Sequence, residues 1–295
     1  MAHSNAAAVS PDSKTVDKQS SRFSSTGDDV IVFRSSDGTL FNIHRYNLRC
    51  TTDGPLAIDL PAVAGETVEL AEDADTLETL FAFVYPGAHP SLKDRPFVEF
   101  MRIAEAAEKY RIAPALSVCN LIIDLKSLYK DHPIEILQHA DRHNHRELLD
   151  LAAPYSLDAT TAAARAALSI HAFAAWVEYR DTRINVWRQN CHEIRFRAVH
   201  PGESLSCIYW PRVVAVIEKR VYELGYGTLF RDPRAIFHEV TDHRSCVATL
   251  YDPKKETRRE GCDIQVEVWE ELIRAEAPTF PMLSTILCPD VKTRV

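Results

Sequence analysis

The chain of 295 residues lacks any hydrophobic run long enough to cross a bilayer. The nearest candidate, residues 159–179, is rich in alanine and contains Arg165 and Glu178, which predicts a helix of a soluble protein. The first residues also lack the apolar core of a secretion signal, so we expect no export. The composition therefore argues against membrane-spanning and secreted classes of protein.

The cysteines lack the close spacing of a disulfide-rich scaffold. They number seven, an odd count, and are scattered widely along the chain. We expect most of them to be reduced thiols, because disulfides form chiefly in oxidising compartments. The cysteine pattern therefore predicts a cytoplasmic location, a nuclear location or both.

The chain also lacks an excess of positive charge. Acidic residues outnumber basic residues 42 to 34, which gives a formal net charge of −8. Because a phosphate backbone repels that charge, direct binding of nucleic acid is disfavoured. One basic run, residues 254–259, follows Asp252-Pro253 and predicts a solvated turn, with a nuclear import signal or a phosphate contact as the alternatives.

No catalytic motif is assembled in the sequence. A phosphate loop is missing, and Gly225-Tyr226-Gly227 lacks the third glycine of a dinucleotide fingerprint. His238 and His243 are five residues apart, which places them about 140° apart around a helix, whereas a zinc-protease helix needs a spacing of four. We therefore expect no enzyme, no catalytic residue and no cofactor.

Two groups of residues have side chains that bind metals in other proteins. His139 and His143 are four residues apart on a predicted helix, and His145 is close by, but a partly exposed polar helix face is favoured over a zinc site. For a looser set in the second half, buried apolar thiols are favoured over a zinc site: Cys191, His192, Cys207, His243, Cys246 and Cys262. We expect no bound metal.

Periodicity predicts an α+β fold in the first half. Residues 1–27 are rich in Ser, Ala, Thr and Asp and predict a disordered tail. Apolar runs at 30–33, 39–43 and 67–70 predict three short strands, the first two joined by an Asp37-Gly38 turn. Helical stripes begin near residues 75, 97, 114, 133 and 148. Asp75 is the predicted cap of the first, and the second is predicted to span 97–110. This order predicts helices packed on a small sheet.

The second half is predicted to be mostly helical. Apolar stripes over 172–194 and 210–224 predict two helices, and Gly225 marks the end of the second. Short strands are predicted at 235–240 and 246–250, and a last helix begins at Asp263. We therefore predict three parts: a tail (1–27), a first domain (28–156) and a mostly helical C-terminal domain of unknown role (157–295).

Four segments of the first domain occur in an order typical of one family: DG-x-x-F-x-x-H-R-x-N-L from Asp37, YP at Tyr85, AEAAEKY from Ala104 and HP-x-E-x-L from His132. The set resembles a BTB/POZ domain over about residues 28–156, and most of all the variety abundant in basidiomycete fungi. The resemblance implies a three-stranded sheet with a cluster of short helices, acting as a protein-interaction module.

The resemblance also implies candidate interaction residues. Many relatives homodimerise through the first helix and the N-terminal strand, which makes Tyr46, Leu48 and Cys50 candidate contacts; the alternative is that these side chains fill the intrachain core. Residues 49–55 depart from the small-residue run of relatives. The hydrophobic-x-Glu element of cullin-recruiting relatives is only partly matched, at Leu92 and Asp94.

The function expected from the sequence is a non-catalytic interaction module that self-associates and recruits protein partners. The alternatives are a substrate adaptor of a cullin-type ubiquitin ligase and a nuclear transcriptional co-regulator that acts through partners. An enzyme in the second half is the least favoured class, because no catalytic constellation supports it.

Overall fold

The computed structural model describes residues 18–27, 29–58, 66–197, 207, 209–238, 240, 251–252, 257–258 and 262–289. The chain has an α+β fold with a small four-stranded sheet and many helices, which confirms the predicted fold class at that level. It divides into two compact units, Met1–Lys126 and Ser127–Val295. Within the described ranges, no helix is long and apolar enough to span a membrane.

The first unit contains the sheet. Its described strands are β1 (Lys18–Ser24), β2 (Val30–Arg34), β3 (Thr39–His44) and β4 (Thr67–Glu69), in the order β1-β3-β2-β4. Its described helices are α1 (Arg45–Thr51), α2 (Pro55–Ile58), α3 (Ala74–Ala82), α4 (Phe97–Tyr110) and α5 (Ala113–Leu125). The strand order leaves β1 and β4 at the two edges of the sheet.

The centre of the sheet is the hairpin that the Asp-Gly turn predicts. β2 and β3 pair antiparallel, with Phe33 opposite Phe41, and Gly38 adopts the left-handed φ of 87° that the turn requires. β1 pairs parallel with β3, and β4 pairs parallel with β2. Alternate side chains of the two central strands are buried because successive residues face opposite sides of a sheet: Ile31, Phe33, Phe41 and Ile43.

The structure corrects the predicted disordered tail. Residues 18–24 form strand β1, and Phe23 is 4% exposed. The ring centre of Phe23 lies 5.5 Å from that of Tyr85 and 6.1 Å from that of Phe81. Composition did not predict the strand, because all of its residues except Phe23 are polar. The buried Phe23 side chain is the single apolar anchor of the strand. The preceding residues, 1–17, lie outside the described part of the chain.

The helices of the first unit follow the predicted stripes. α4 spans the predicted 97–110, and the burial of Ala104 and Ala107 lets neighbouring elements approach closely. α3 begins slightly before its predicted start, because Asp73 rather than Asp75 is the cap and accepts a hydrogen bond from the backbone N–H of Thr76 at 2.9 Å. A hydrogen bond from the Thr76 hydroxyl, and then this backbone bond, lower the pKa of the Asp73 carboxyl.

The turn after α1 packs tightly against the end of α4. The Thr52 hydroxyl donates a hydrogen bond to the carbonyl oxygen of Tyr110. A Cβ at Gly54 would lie 2.5 Å from that oxygen and 2.9 Å from the Tyr110 carbonyl carbon. These are backbone atoms, which cannot rotate away as a flexible side chain can.

We predict that Gly54→Ala destabilises the first unit by about 1–3 kcal/mol, the usual cost of overpacking. Urea unfolding followed by circular dichroism measures the change. Gly27→Ala is the matched control, because a Cβ at Gly27 would meet nothing within 4 Å. Equal unfolding midpoints for Gly54→Ala and the parent chain would contradict the close packing.

The second unit is mainly helical, as predicted. Its described helices are α6 (Leu128–Asp131), α7 (Pro133–His143), α8 (Arg146–Ala152), α9 (Thr161–Ala167), α10 (Ile170–Arg197), α11 (Trp210–Arg231), α12 (Pro233–Phe237), α13 (Cys262–Glu276) and α14 (Leu283–Leu287). Two-residue strands β5 (Tyr251–Asp252) and β6 (Thr257–Arg258) pair antiparallel.

Two of three sequence expectations about this unit differ from the structure, and the third lies on residues that the structure does not describe. The predicted strand at 235–240 is wrong, because Pro233 opens the short helix α12 there. The predicted strand at 246–250 lies outside the described residues. The division between the units falls after Lys126 rather than after residue 156. The reason is that α8 packs with α14 of the second unit. There the Asp150 carboxylate accepts a hydrogen bond from the Ser284 N–H at 2.8 Å.

Gly225 does not end α11 but kinks it. Its φ of 87° and ψ of 159° are not helical, and the helix resumes beyond it. The Asp158 carboxylate accepts hydrogen bonds from the backbone N–H groups of Tyr226 at 2.6 Å and Gly227 at 2.9 Å. Asp158 therefore caps the second segment of the helix, which compensates for the backbone bonds lost at the kink.

Candidate functional site

The candidate interaction surface lies on α1. The helix is anchored at its start, where the backbone N–H of His44 donates to the Tyr85 hydroxyl at 3.1 Å and the N–H of Arg45 donates to the carbonyl of Asp29 at 2.9 Å. Leu48 is fully buried beneath the helix, whereas Tyr46 is 69% exposed. The helix therefore presents Tyr46 from a fixed backbone.

The structure places the five candidate residues in two groups. Tyr46, Cys50 and Asp94 are exposed. Leu48 and Leu92 are 0% and 1% exposed, so neither side chain offers surface to a partner. Leu48 lies in the intrachain core, which is the alternative that the sequence analysis raised for it. These two leucines are therefore not part of the candidate contact surface.

Tyr46 and Cys50 lie one helical turn apart and form an uncharged pair. A hydrogen bond between the phenol and the Cys50 thiol raises the pKa of the Tyr46 hydroxyl above its ordinary value. Charged residues lie close to the pair in sequence: Arg49 is exposed, and the Asp53 carboxylate accepts two hydrogen bonds of 2.8 and 2.9 Å from Arg111. Aromatic residues are enriched at the centre of protein interfaces, and polar residues at their rim.

The edge strand β1 is a second candidate interaction feature. One side of β1 pairs with β3 through Lys18 and Gln19 and again at Ser24, with an irregularity between them. Its other side has no partner strand among the residues that the structure describes. Unpaired backbone groups at a sheet edge are a template for another strand. Sequence analysis missed this strand, and the isolated aromatic Phe23 was the one signal that could have revealed it.

No family model matches the chain, and no curated protein matches it. The resemblance to BTB/POZ domains therefore depends on the four sequence segments. A small sheet followed by helices agrees with the fold class that the resemblance implies, but this coarse agreement does not identify a family. Membership of the BTB/POZ family stays a prediction.

Three histidines of the second unit lie together at the junction of α7 and α8. The ring centres of His139 and His143 are 4.9 Å apart, and the ring of His145 is 5.9 Å from His139 and 6.3 Å from His143. His139 is 2% exposed. It therefore does not lie on a partly exposed polar helix face, which is the interpretation that the sequence favoured. We call these three residues the histidine cluster.

Three cysteines of the second unit lie in its apolar core, as the sequence favoured: Cys191, Cys207 and Cys262. The sulfur atoms of Cys207 and Cys262 are 3.5 Å apart, and Cys191 belongs to the same buried cluster. His243 and Cys246 lie outside the described residues.

In the first unit, burial and then the charge of Glu108 raise the pKa of the Cys119 thiol to about 12, so this thiol stays protonated at neutral pH.

An open cleft of about 560 Å³ lies beside α11 and α12. Its charged lining residues include Arg220 and Asp232, and Arg220 donates a hydrogen bond to the carbonyl oxygen of Ile236 at 3.1 Å. None of the described residues that line it carries a hydroxyl or a thiol.

Proposed function

We propose that the chain is a non-catalytic protein-interaction protein whose first unit self-associates through α1 and β1. The observation that carries this proposal is the 69% exposure of Tyr46 on an anchored helix. Tyrosine supplies a large contact area and loses little conformational entropy on binding, because it has only two side-chain torsions. The helix backbone is already fixed, so ordering it adds no further cost.

A second copy of the chain is the occupant that this surface fits best. A two-fold interface brings the same patch together from both copies, so the patch must be self-complementary. The α1 surface meets that need because it combines an uncharged centre with both signs of charge, Arg49 on the helix and Asp53 just after it. The open edge of β1 adds backbone groups that pair without regard to side-chain identity.

Self-association has more support than recruitment of a cullin. The cullin-binding element would use Leu92 and Asp94, but Leu92 is 1% exposed and only Asp94 is presented. The BTB/POZ resemblance implies dimerisation through the first helix and the N-terminal strand, which are the elements that carry Tyr46 and the open edge. We propose that recruitment of other proteins follows from this assembly.

We predict that Tyr46→Glu weakens self-association at least about tenfold, because a carboxylate replaces an aromatic anchor and must lose its water at the interface. Sedimentation velocity of the full chain across a concentration series measures the effect. A reductant is present throughout, because the exposed Cys50 can otherwise link two copies covalently.

Val98→Glu is the matched control for this experiment. Val98 is 63% exposed, belongs to the same unit and lies on α4. It receives the same added charge away from the α1 surface, so we expect parent-like association. The proposal fails if Tyr46→Glu associates like the parent chain, or if both variants weaken association equally.

A further inference from the structure

We propose that the histidine cluster binds a divalent transition-metal ion of the zinc class through the imidazoles of His139, His143 and His145. All three imidazoles belong to the second unit, and the proposal does not depend on the proposed self-association. It would be a structural or ligand-accepting metal site in a chain whose sequence alone favoured no metal.

The local backbone brings three ligands together from a short stretch of chain. His139 and His143 are one turn apart on α7, so their side chains share one face of the helix. Asn144 then adopts the left-handed conformation with φ 59° and ends the helix. The backbone N–H of His145 returns to the carbonyl oxygen of Ala140 at 2.9 Å, which places the third imidazole beside the first two.

The ring separations are close to those of a shared ion. A zinc–nitrogen bond of about 2 Å places each ring centre about 3 Å from the metal, so two imidazoles on a tetrahedral ion have centres about 5 Å apart. The His139–His143 separation of 4.9 Å meets this value. The two separations to His145 exceed it by about 1 Å, a gap that rotation of the half-buried His143 and His145 rings can close.

The surroundings favour a cation bound by nitrogen. The cluster lies at the C-terminal end of α7, where the helix dipole stabilises positive charge. The Asp141 carboxylate is held by the N–H of Ser169 at 2.8 Å and its hydroxyl at 3.1 Å, which leaves imidazoles as the ligands within this turn. An imidazole set suits zinc, nickel or copper rather than magnesium or calcium, which prefer oxygen.

Burial adds to the case for His139 as the central ligand. Its side chain is 2% exposed, and it lies within ring-contact distance of both other histidines. In each of its two pairs, ligand nitrogens come within 4.8 Å of one another. Three protein ligands leave a further coordination position for water or a ligand. The ion would also tie the end of α7 to the start of α8.

Zinc titration of the full-length, untagged and chelator-treated chain tests the site. Calorimetry measures the affinity, and elemental analysis after desalting measures the stoichiometry. We expect one ion per chain and an affinity that falls at least about tenfold in His143→Asn and His145→Asn, since each removes one of three ligands. Both positions are half-buried, so these variants fold where a change at His139 risks disrupting the core.

His171→Asn is the matched control, because His171 is exposed on α10 and lies outside the cluster. Its affinity for zinc should equal that of the parent chain. Cobalt substitution identifies the ligands: tetrahedral nitrogen ligation gives visible bands without the near-ultraviolet absorption of a thiolate–cobalt bond. The proposal is overturned by the absence of stoichiometric zinc, by parent-like affinity in both cluster variants, or by thiolate absorption that shows the ion bound to cysteine.

Discussion

Replacing Phe81 with alanine is expected to lower the free energy of unfolding of the first unit by about 3–5 kcal/mol. Phe81 is fully buried at the centre of an aromatic cluster, with ring centres 5.3 Å from Phe33, 5.6 Å from Phe41 and 6.1 Å from Phe23. Because the ring joins β1, β2 and β3 to α3, its loss leaves a cavity that none of these elements can fill alone.

Hydrogen exchange with mass spectrometry measures this change by region. In Phe81→Ala, amide exchange in β2 and β3 should accelerate together with a lower urea midpoint. Val98→Ala, at a position 63% exposed, serves as the control and should change stability by less than about 0.5 kcal/mol. A loss below about 1 kcal/mol for Phe81→Ala would contradict the central place of this ring.

Replacing Trp269 with alanine is expected to destabilise the second unit by a comparable amount, about 3–5 kcal/mol. Trp269 is fully buried on α13 and stacks on Trp187 with ring centres 5.1 Å apart and an interplanar angle of 8°. It also contacts Phe237 edge-on at 5.5 Å and lies 6.5 Å from Trp210. The four tryptophans of the chain all belong to the second unit, so fluorescence of the remaining three follows its unfolding.

Trp269→Phe is the matched control for this prediction. It keeps an aromatic ring in the stack and removes the indole N–H, which has no hydrogen-bond acceptor within the described part of the chain. A buried donor without an acceptor costs about 1–3 kcal/mol, so its removal offsets part of the lost volume. We expect Trp269→Phe to be clearly milder than Trp269→Ala. Equal losses would show that the stacking is not what stabilises this core.

Local sequence patterns predicted the helices and strands whose buried side chains recur at the helical or the strand period. α4 carries a regular apolar stripe, and the structure has it at the predicted residues. The β2–β3 hairpin combines alternating apolar residues with an Asp-Gly turn, and its strands lie where predicted. In both cases the residues that determine the element are adjacent in sequence, so a short window contains the necessary information.

Elements stabilised by distant contacts could not be predicted in this way. β1 is mostly polar and depends on Phe23 reaching Phe81 and Tyr85, far along the chain. The early division between the units depends on contacts such as Asp150 with Ser284. A sequence window contains neither pairing, and composition alone predicts a polar tail for the first.

The candidate surfaces were predicted in part. The helical period alone places Tyr46 and Leu48 on different faces of α1, because residues two apart on a helix face away from each other. This argument would have removed Leu48 from the predicted contact surface. The burial of His139 was not predictable, because the i, i+4 spacing gives the shared helix face but not whether that face is exposed. Side-chain exposure depends on which elements pack together, and that is a property of the fold.

The most direct test of the central claim is the mass of the full chain measured by sedimentation equilibrium over a wide concentration range under reducing conditions. We predict that the mass rises from 33.3 kDa toward twice that value as concentration increases, and that Tyr46→Glu keeps it near 33.3 kDa at concentrations where Val98→Glu dimerises. A parent chain that stays at 33.3 kDa at every concentration would contradict self-association through α1 and β1.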